Sequence, residues 1–297
     1  MELIIKLGGD VMSKSFDNLQ ETQDMLKNHY KHIKVDADRI FYTDISDIHL
    51  GHKGFDSKTF ENLIDVIKDI PNFYVFLGGD TINHANKGSK SSPFEENMTP
   101  REQIKGQYEH NKLLRKGIIQ YLEPIKDRII GKIDGNHDGT RSQEFNDTSP
   151  GEWLSDLLGV QYFGDLALIQ FSVRKNAYTH FHHHISGSTG KKLNLNKLQE
   201  KGEEWRCDVI WGEHTHRRQH GSEYYVDIDL RNQKPVIRKQ YFLNTNSLLG
   251  WSGYAKTKGY RLGITGIKVI EMSGNKHNRY IRVYEEFKDF YELVIDK

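Results

Sequence analysis

Apolar positions along the chain fall into short runs bounded by glycines and polar clusters, and five of these runs end in residues able to hold a ligand. Ile40 to Ser46 is a β-rich run that delivers Asp47 and His49. Phe73 to Leu77 ends in Gly78-Gly79-Asp80, where the glycines allow a sharp bend. Ile125 to Ile133 leads to Gly135-Asn136-His137-Asp138, Ala177 to His184 ends in a cluster of histidines, and Asp208 to Trp211 leads to Gly212-Glu213-His214-Thr215-His216.

Helical periodicity fills the spaces between. Asp56 or Ser57 caps a helix whose apolar face is Phe60, Leu63, Ile64 and Ile67, with Pro71 beyond its end. Thr99-Pro100-Arg101-Glu102 is a capping box opening a helix to about Leu122, and Ser149-Pro150-Gly151-Glu152 opens a short one that Gly159 stops. Val160 to Val173 reads as one or two strands around Gly164-Asp165. Tyr224 to Ile228, Val236 to Leu243, Gly263 to Val269 and a hairpin through Ser273-Gly274-Asn275 read as a second sheet. Residues 1–38, polar with few apolar anchors, are expected to be an extension, and residues 39–297 a single α/β domain, since no linker or repeat divides them.

Composition narrows the function. The chain has 297 residues, 42 basic and 41 acidic, for a net charge of +1, so no global field draws it to nucleic acid or an anionic membrane. Its single cysteine, Cys207, rules out an internal disulfide framework. No stretch approaches the 18 or so apolar residues of a membrane span, and the expectation is a soluble, cytoplasmic protein that does not engage a membrane. Its oligomeric state is not encoded in any pattern found.

The chemistry lies in the run ends. Asp47 and His49, like His214 and His216, are two residues apart, which on an extended segment turns both side chains to one side, as two ligands of one ion require. In α/β sheets ligands collect outside the carboxyl ends of strands, so residues far apart in sequence can converge. Asp47, His49, Asp80, Asn136 with His137, a histidine near 184, His214 and His216 offer seven or eight nitrogen and oxygen ligands. That is more than one ion needs and suits two ions sharing a carboxylate.

The set Asp47-Ile-His49, Gly79-Asp80, Gly135-Asn136-His137-Asp138, a histidine after a strand, and His214-Thr215-His216 resembles the calcineurin-like metallophosphoesterase superfamily. Pro71-Asn72, the Thr-Pro-Arg-Glu-Gln start at 99–103 and Gly250-Trp-Ser-Gly-Tyr254 resemble its phage and prophage members. The resemblance implies a four-layer α/β/β/α sandwich of two mixed sheets with a dinuclear site at the strand ends. It implies that Asp47, His49 and His216 hold one metal, that Asn136, His184 and His214 hold the other, and that Asp80 bridges them. His137 would assist the leaving group, with Asp138 and Arg141 beside it as catalytic candidates. Asn83, His84, Lys191 and Arg217 are candidate substrate contacts.

Two divalent ions, manganese preferred over iron or zinc, would lower the pKa of a shared water and supply hydroxide for in-line attack on a phosphodiester or phosphomonoester. The substrate is a phosphoester, nucleotides and nucleic acids among the candidates. A nuclease is the alternative, since Ser46 to Gly51 also resembles the start of double-strand-break repair nucleases of this superfamily. A binding protein that keeps the fold is a further one.

Three departures stand out. Glu213 occupies the place before the His-x-His pair where the family has glycine, and a side chain there either crowds the second metal or points outward. His183 is the alternative to His184. Thr81-Ile-Asn-His follows the Gly-Asp motif where protein phosphatases have Asp-Arg-Gly, which argues against phosphoprotein substrates.

Overall fold

The computed structural model describes residues 19–52, 54–83, 112–138, 149–185, 195–216, 218–230, 232–250 and 265–295. Residues 19–28 are helical and lead into β1 (Tyr30–Val35). The next strand, β2 (Arg39–Ile45), is buried from Ile40 onward, as a central strand covered on both faces must be. Helix α1 (Ser57–Asp69) starts where the Asp56 carboxylate accepts the Thr59 backbone N–H at 3.0 Å, and it buries Phe60, Leu63, Ile64 and Ile67. Strand β3 (Phe73–Leu77) follows.

Residues 112–122 are helical, and a 3-10 helix (Glu123–Arg128) leads into β4 (Ile129–Lys132). The strand expected from Ile125 is therefore shorter, because Pro124 near the start of this turn presets a helical φ. Helix α2 (Pro150–Leu158) begins at Ser149, whose hydroxyl accepts the Gly151 N–H at 3.1 Å, and stops at Gly159 with φ 67°. The stretch from 160 to 173 forms two strands in different sheets, β5 (Gln161–Tyr162) and β6 (Leu166–Val173). Then come β7 (Asn176–His183), α3 (Leu195–Trp205), β8 (Val209–Gly212), β9 (His220–Asp229), β10 (Lys234–Asn244), β11 (Val269–Ser273), β12 (Ile281–Tyr284) and α4 (Phe287–Val294).

The first sheet runs β12-β11-β2-β3-β4-β5, with β2 to β5 parallel. The second runs β1-β6-β7-β8-β10-β9, with β7, β8 and β10 parallel. Two expectations are corrected here. Residues 30–35, placed by sequence in the extension, pair with β6 from Tyr30↔Leu168 to Val35↔Val173, the polar alternation marking an edge strand. The β11–β12 hairpin joins the first sheet, antiparallel to β2, because Ile270 and Met272 pack beside Tyr42 and Ile40 in the shared core.

That core lies between the sheets: Tyr42, Phe76 and Ile270 from the first meet Phe171, Tyr178, Trp211 and Leu243 from the second. On the outer face of the first sheet, α1, α2, α4 and residues 112–122 cover Phe41, Phe73, Val75 and Leu77. On the outer face of the second, Leu198 of α3 packs with Phe181, Ile210 and Phe242. The layers are thus α/β/β/α, and each fully buried aromatic contributes on the order of 1.5–3 kcal/mol. Among the described residues no helix is long and apolar enough to cross a membrane.

Candidate metal centre

The first sheet's chain turns inward as soon as its strands end. Asp47, His49 and Asp80 have φ of 51°, 49° and 58°, and in the second sheet His214 and His216 have 78° and 52°. Five of the nine described non-glycine residues with positive φ are therefore these ligand candidates. Asp and His are among the few side chains that tolerate the left-handed region, and such strain gathers where function imposes it. Strand pleating, the expected reason why the paired residues face one way, is replaced by these turns because β2 ends at Ile45 and β8 at Gly212.

Backbone pairing continues past the strand ends and fixes the turns. Asp47 and His49 donate their N–H groups to the carbonyls of Gly79 and Asp80 at 2.9 and 3.0 Å, and Thr245 donates to Gly212 at 2.8 Å. The approach is close enough to require glycine at two places. A Cβ on Gly79 would lie 2.3 Å from Gly135 Cα, and one on Gly135 would lie 2.2 Å from Asp80 Oδ1.

Two ligand groups result, joined through one carboxylate. On one side the His216 Nε2 lies 3.0 Å from Asp47 Oδ1 and 3.3 Å from His49 Nε2. On the other the His184 Nε2 lies 3.2 Å from Asn136 Oδ1, with the His214 ring 4.8 Å from that of His184. Asp80 Oδ2 stands 3.9 Å from both His49 Nε2 and His184 Nε2. The donor sets Asp47, His49, His216 and Asp80, His184, His214 each fall within 4.8 Å.

These groups fit divalent ions. Two bonds of about 2.1 Å across one ion span roughly 3–4 Å, which matches the separations found. Asp47 Oδ1 is buried with the His216 Nε2 at 3.0 Å, and a cation would be shared by the two as ligands.

Electrostatics point the same way. Burial, with Asp47 and Asp138 nearby, pushes the Asp80 carboxyl up to about 7 against the pull of His184. Burial lowers His184, but Glu213, Asp80 and Asp47 outweigh it and raise the imidazole to about 9. Burial also opposes ionisation of Asp47, yet His216, His184 and His49 hold that carboxylate below its usual range. The raised His184 is a base crowded by carboxyl groups, and a bound cation would take the place of its proton.

His137 is half-buried beside the ligands, its backbone N–H on Asp80 Oδ1 at 2.7 Å and its ring 4.7 Å from that of His49. Asp138, expected as a catalytic group, is instead wholly buried: Lys132 Nζ donates to it at 3.0 Å and Thr81 N–H at 3.3 Å. Its carboxylate anchors the turn that carries His137. Burial opposes its charge, but Lys132 keeps its pKa low.

His183, the alternative ligand, turns away, its Nδ1 3.3 Å from the Asp165 carbonyl oxygen. Asn83 is buried with its N–H on the Leu50 carbonyl at 2.9 Å. Arg141, His84, Lys191 and Arg217 lie outside the described residues.

The sequence reading passed over His52, Asp44 and His182. His52 is close enough to His216 for that ring, after burial, to lower its pKa, and its place three residues after His49 was the available signal. Asp44 and His182 sit behind the ligands with Glu213, all three buried.

No sequence model of a known family matches the chain, and no curated protein matches it. Solved structures do. Vps29 of Chaetomium thermophilum is 10% identical, with 82% of this chain and 96% of that one covered and a TM-score of 0.36. A conserved uncharacterized protein of Streptococcus pneumoniae, described as a predicted phosphoesterase, is 12% identical over 83% of this chain and 90% of its own, with a TM-score of 0.33. Vps29 of Entamoeba histolytica, complexed with zinc, is 12% identical over 82% and 98%, with a TM-score of 0.36. Likenesses this loose carry no conclusion about the site.

Proposed function

We propose that the chain is a dinuclear metallophosphoesterase of the calcineurin-like type that hydrolyses a phosphodiester or phosphomonoester. The sequence motifs, including those shared with phage members, support that family reading. The observation that carries it is Asp80, whose Oδ2 stands 3.9 Å from an imidazole of each ligand group. Asp47, His49 and His216 would hold one ion, Asn136, His184 and His214 the other, and Asp80 both. When bound, two such ions supply an activated water and positive charge at the phosphoryl group, with manganese the preferred metal.

The chain's own residues do the rest. The left-handed turns hold the donors in place before a substrate arrives, which lowers the cost of organising the site. His137, tethered through its backbone to Asp80, holds an imidazole beside the ligands, where it can give a proton to the departing alkoxide oxygen. The buried Lys132–Asp138 pair fixes the turn that carries it.

The test is hydrolysis of bis(p-nitrophenyl) phosphate and p-nitrophenyl phosphate with manganese, zinc or chelator. Turnover that needs metal is expected, lost in Asp80→Asn together with bound ions. In His137→Ala it should fall by about 10²–10⁴ with both ions retained. Absence of turnover with every metal, in protein shown to carry ions, would sink the catalytic reading. Metal-dependent cleavage of labelled DNA at low enzyme concentration would move it to a nuclease.

A further inference from the structure

Glu213 neither crowds the ligands nor points outward. Its side chain is completely buried, running beneath the site between the ends of β3 and β7. One oxygen, Oε2, accepts the Gly79 N–H at 2.6 Å and lies 3.4 Å from His184 Nδ1. Room for it exists because residue 78 is glycine: a Cβ there would stand 2.5 Å from the Glu213 carboxyl carbon.

The two nitrogens of His184 therefore see different surroundings. Nδ1 faces Glu213, while Nε2 faces Asn136 Oδ1 at 3.2 Å and Asp80 Oδ2 at 3.9 Å. An imidazole that donates Nδ1–H to a carboxylate has its Nε2 lone pair free and fixed in direction, which is the form an ion requires.

Glu213 is itself braced. Its second oxygen, Oε1, and Asp44 Oδ1 are both buried with no donor among the described residues, and the two carboxyl groups lie within 4.8 Å. Asp44 Oδ2 is 2.6 Å from His182 Nδ1, and His182 Nε2 is 2.8 Å from the Tyr42 hydroxyl. Tyr42, His182 and Asp44 are thus joined by hydrogen bonds in the inter-sheet core, and the Asp44 carboxyl stands within 4.8 Å of Glu213 behind a candidate ligand.

We propose that Glu213 is a positioning residue: braced by Asp44, His182 and Tyr42, it fixes the His184 ring and so sets the affinity of the Asn136, His184, His214 site for its ion. The inference rests on the metallophosphoesterase reading. The bland role, a staple that only satisfies the Gly79 N–H, predicts loss of stability without a change in ion binding.

The experiment counts zinc on full-length wild-type, Glu213→Ala and Glu213→Gln protein, measures each ion's affinity by chelator competition, and follows the His184 Nδ1–H proton by NMR in zinc-loaded protein, assigned with His184→Gln. Expected are two ions on wild type, with the affinity of one reduced about 10- to 100-fold in Glu213→Ala. The other ion should be unchanged and the Nδ1–H signal lost. Glu213→Gln keeps an acceptor but not the charge, and should fall between. Should Glu213→Ala not fold, Glu213→Gln decides alone: unchanged affinity overturns the inference. Two ions bound equally by wild type and variants, with the proton signal intact, overturn it while leaving the metal reading standing. No zinc on wild type overturns both.

Discussion

His180 and His182 share one face of β7, and His184, just past the strand's end, puts the same side chain to the opposite use. His180 and His182 are fully buried between the sheets. The His182 ring stacks on Phe76 at 4.1 Å, and His180 Nδ1 receives the Trp211 indole N–H at 3.3 Å. Burial drives His182 down to about 3 and His180 well below its ordinary value, so both are neutral core members. His184, two residues on, is also buried but is ringed by Glu213, Asp80 and Asp47, and its pKa moves up to about 9. Burial alone does not choose the role. His182 stays neutral although Asp44 stands 2.6 Å away, because burial pushes that carboxyl well above its usual range, whereas the three carboxyl groups around His184 make it a cation or a ligand waiting for one.

The largest effect should come from the site end. His184→Ala removes a donor, and the loss of ion affinity and turnover should exceed the 10- to 100-fold typical of changes one layer out. Elemental analysis and rate measurements with a chromogenic diester check this, and an unchanged fold by circular dichroism is expected. At the core end, His182→Leu should instead cost stability, about 1–3 kcal/mol for each of Asp44 and Tyr42 left without its partner. Urea unfolding would detect it; a neutral result would mean that Asp44 finds another donor.

The smallest signal is a pair of opposed pH slopes in chelator-treated protein. His184, raised when folded, contributes stability that is complete below about 6.5, the unfolded value, and is lost as pH rises through about 9. His182, depressed when folded, contributes stability present above about 6.5 and lost as pH falls toward about 3. The wild-type urea midpoint should therefore fall relative to that of His184→Gln as pH rises from about 6.5 through about 9, with a constant offset below that window; an offset that changes only below about 6.5 would reverse the assignment.

Much of the frame was readable because it rests on local rules. β3 occupies the residues its apolar run marked, and α1 starts at Asp56 with the four apolar anchors its period predicted. The strand-end residues were readable as a group because their side chains can do little else together. What escaped depends on distant partners. Nothing local says that Tyr30 will pair with Leu168, or that β11 will return to β2. The left-handed turns at Asp47 and His49 also left no mark, since Asp and His are at home in strands' ends and turns alike. Asp44 and Lys132, charged residues inside apolar runs, were the overlooked clues to the layer behind the ligands, because a buried charge demands a partner.

The left-handed ligand positions also bear on how such a chain can change over generations. At Asp47, His49, Asp80, His214 and His216 the backbone sits where glycine or asparagine is more comfortable. Replacement by either relieves strain, so mutations that discard the chemistry can leave the scaffold as stable as before or more so. If these residues hold metal as proposed, selection must renew that chemistry at each of these positions, whereas the sandwich maintains itself. A lineage released from that selection would drift along a downhill path toward an inert but well-folded protein.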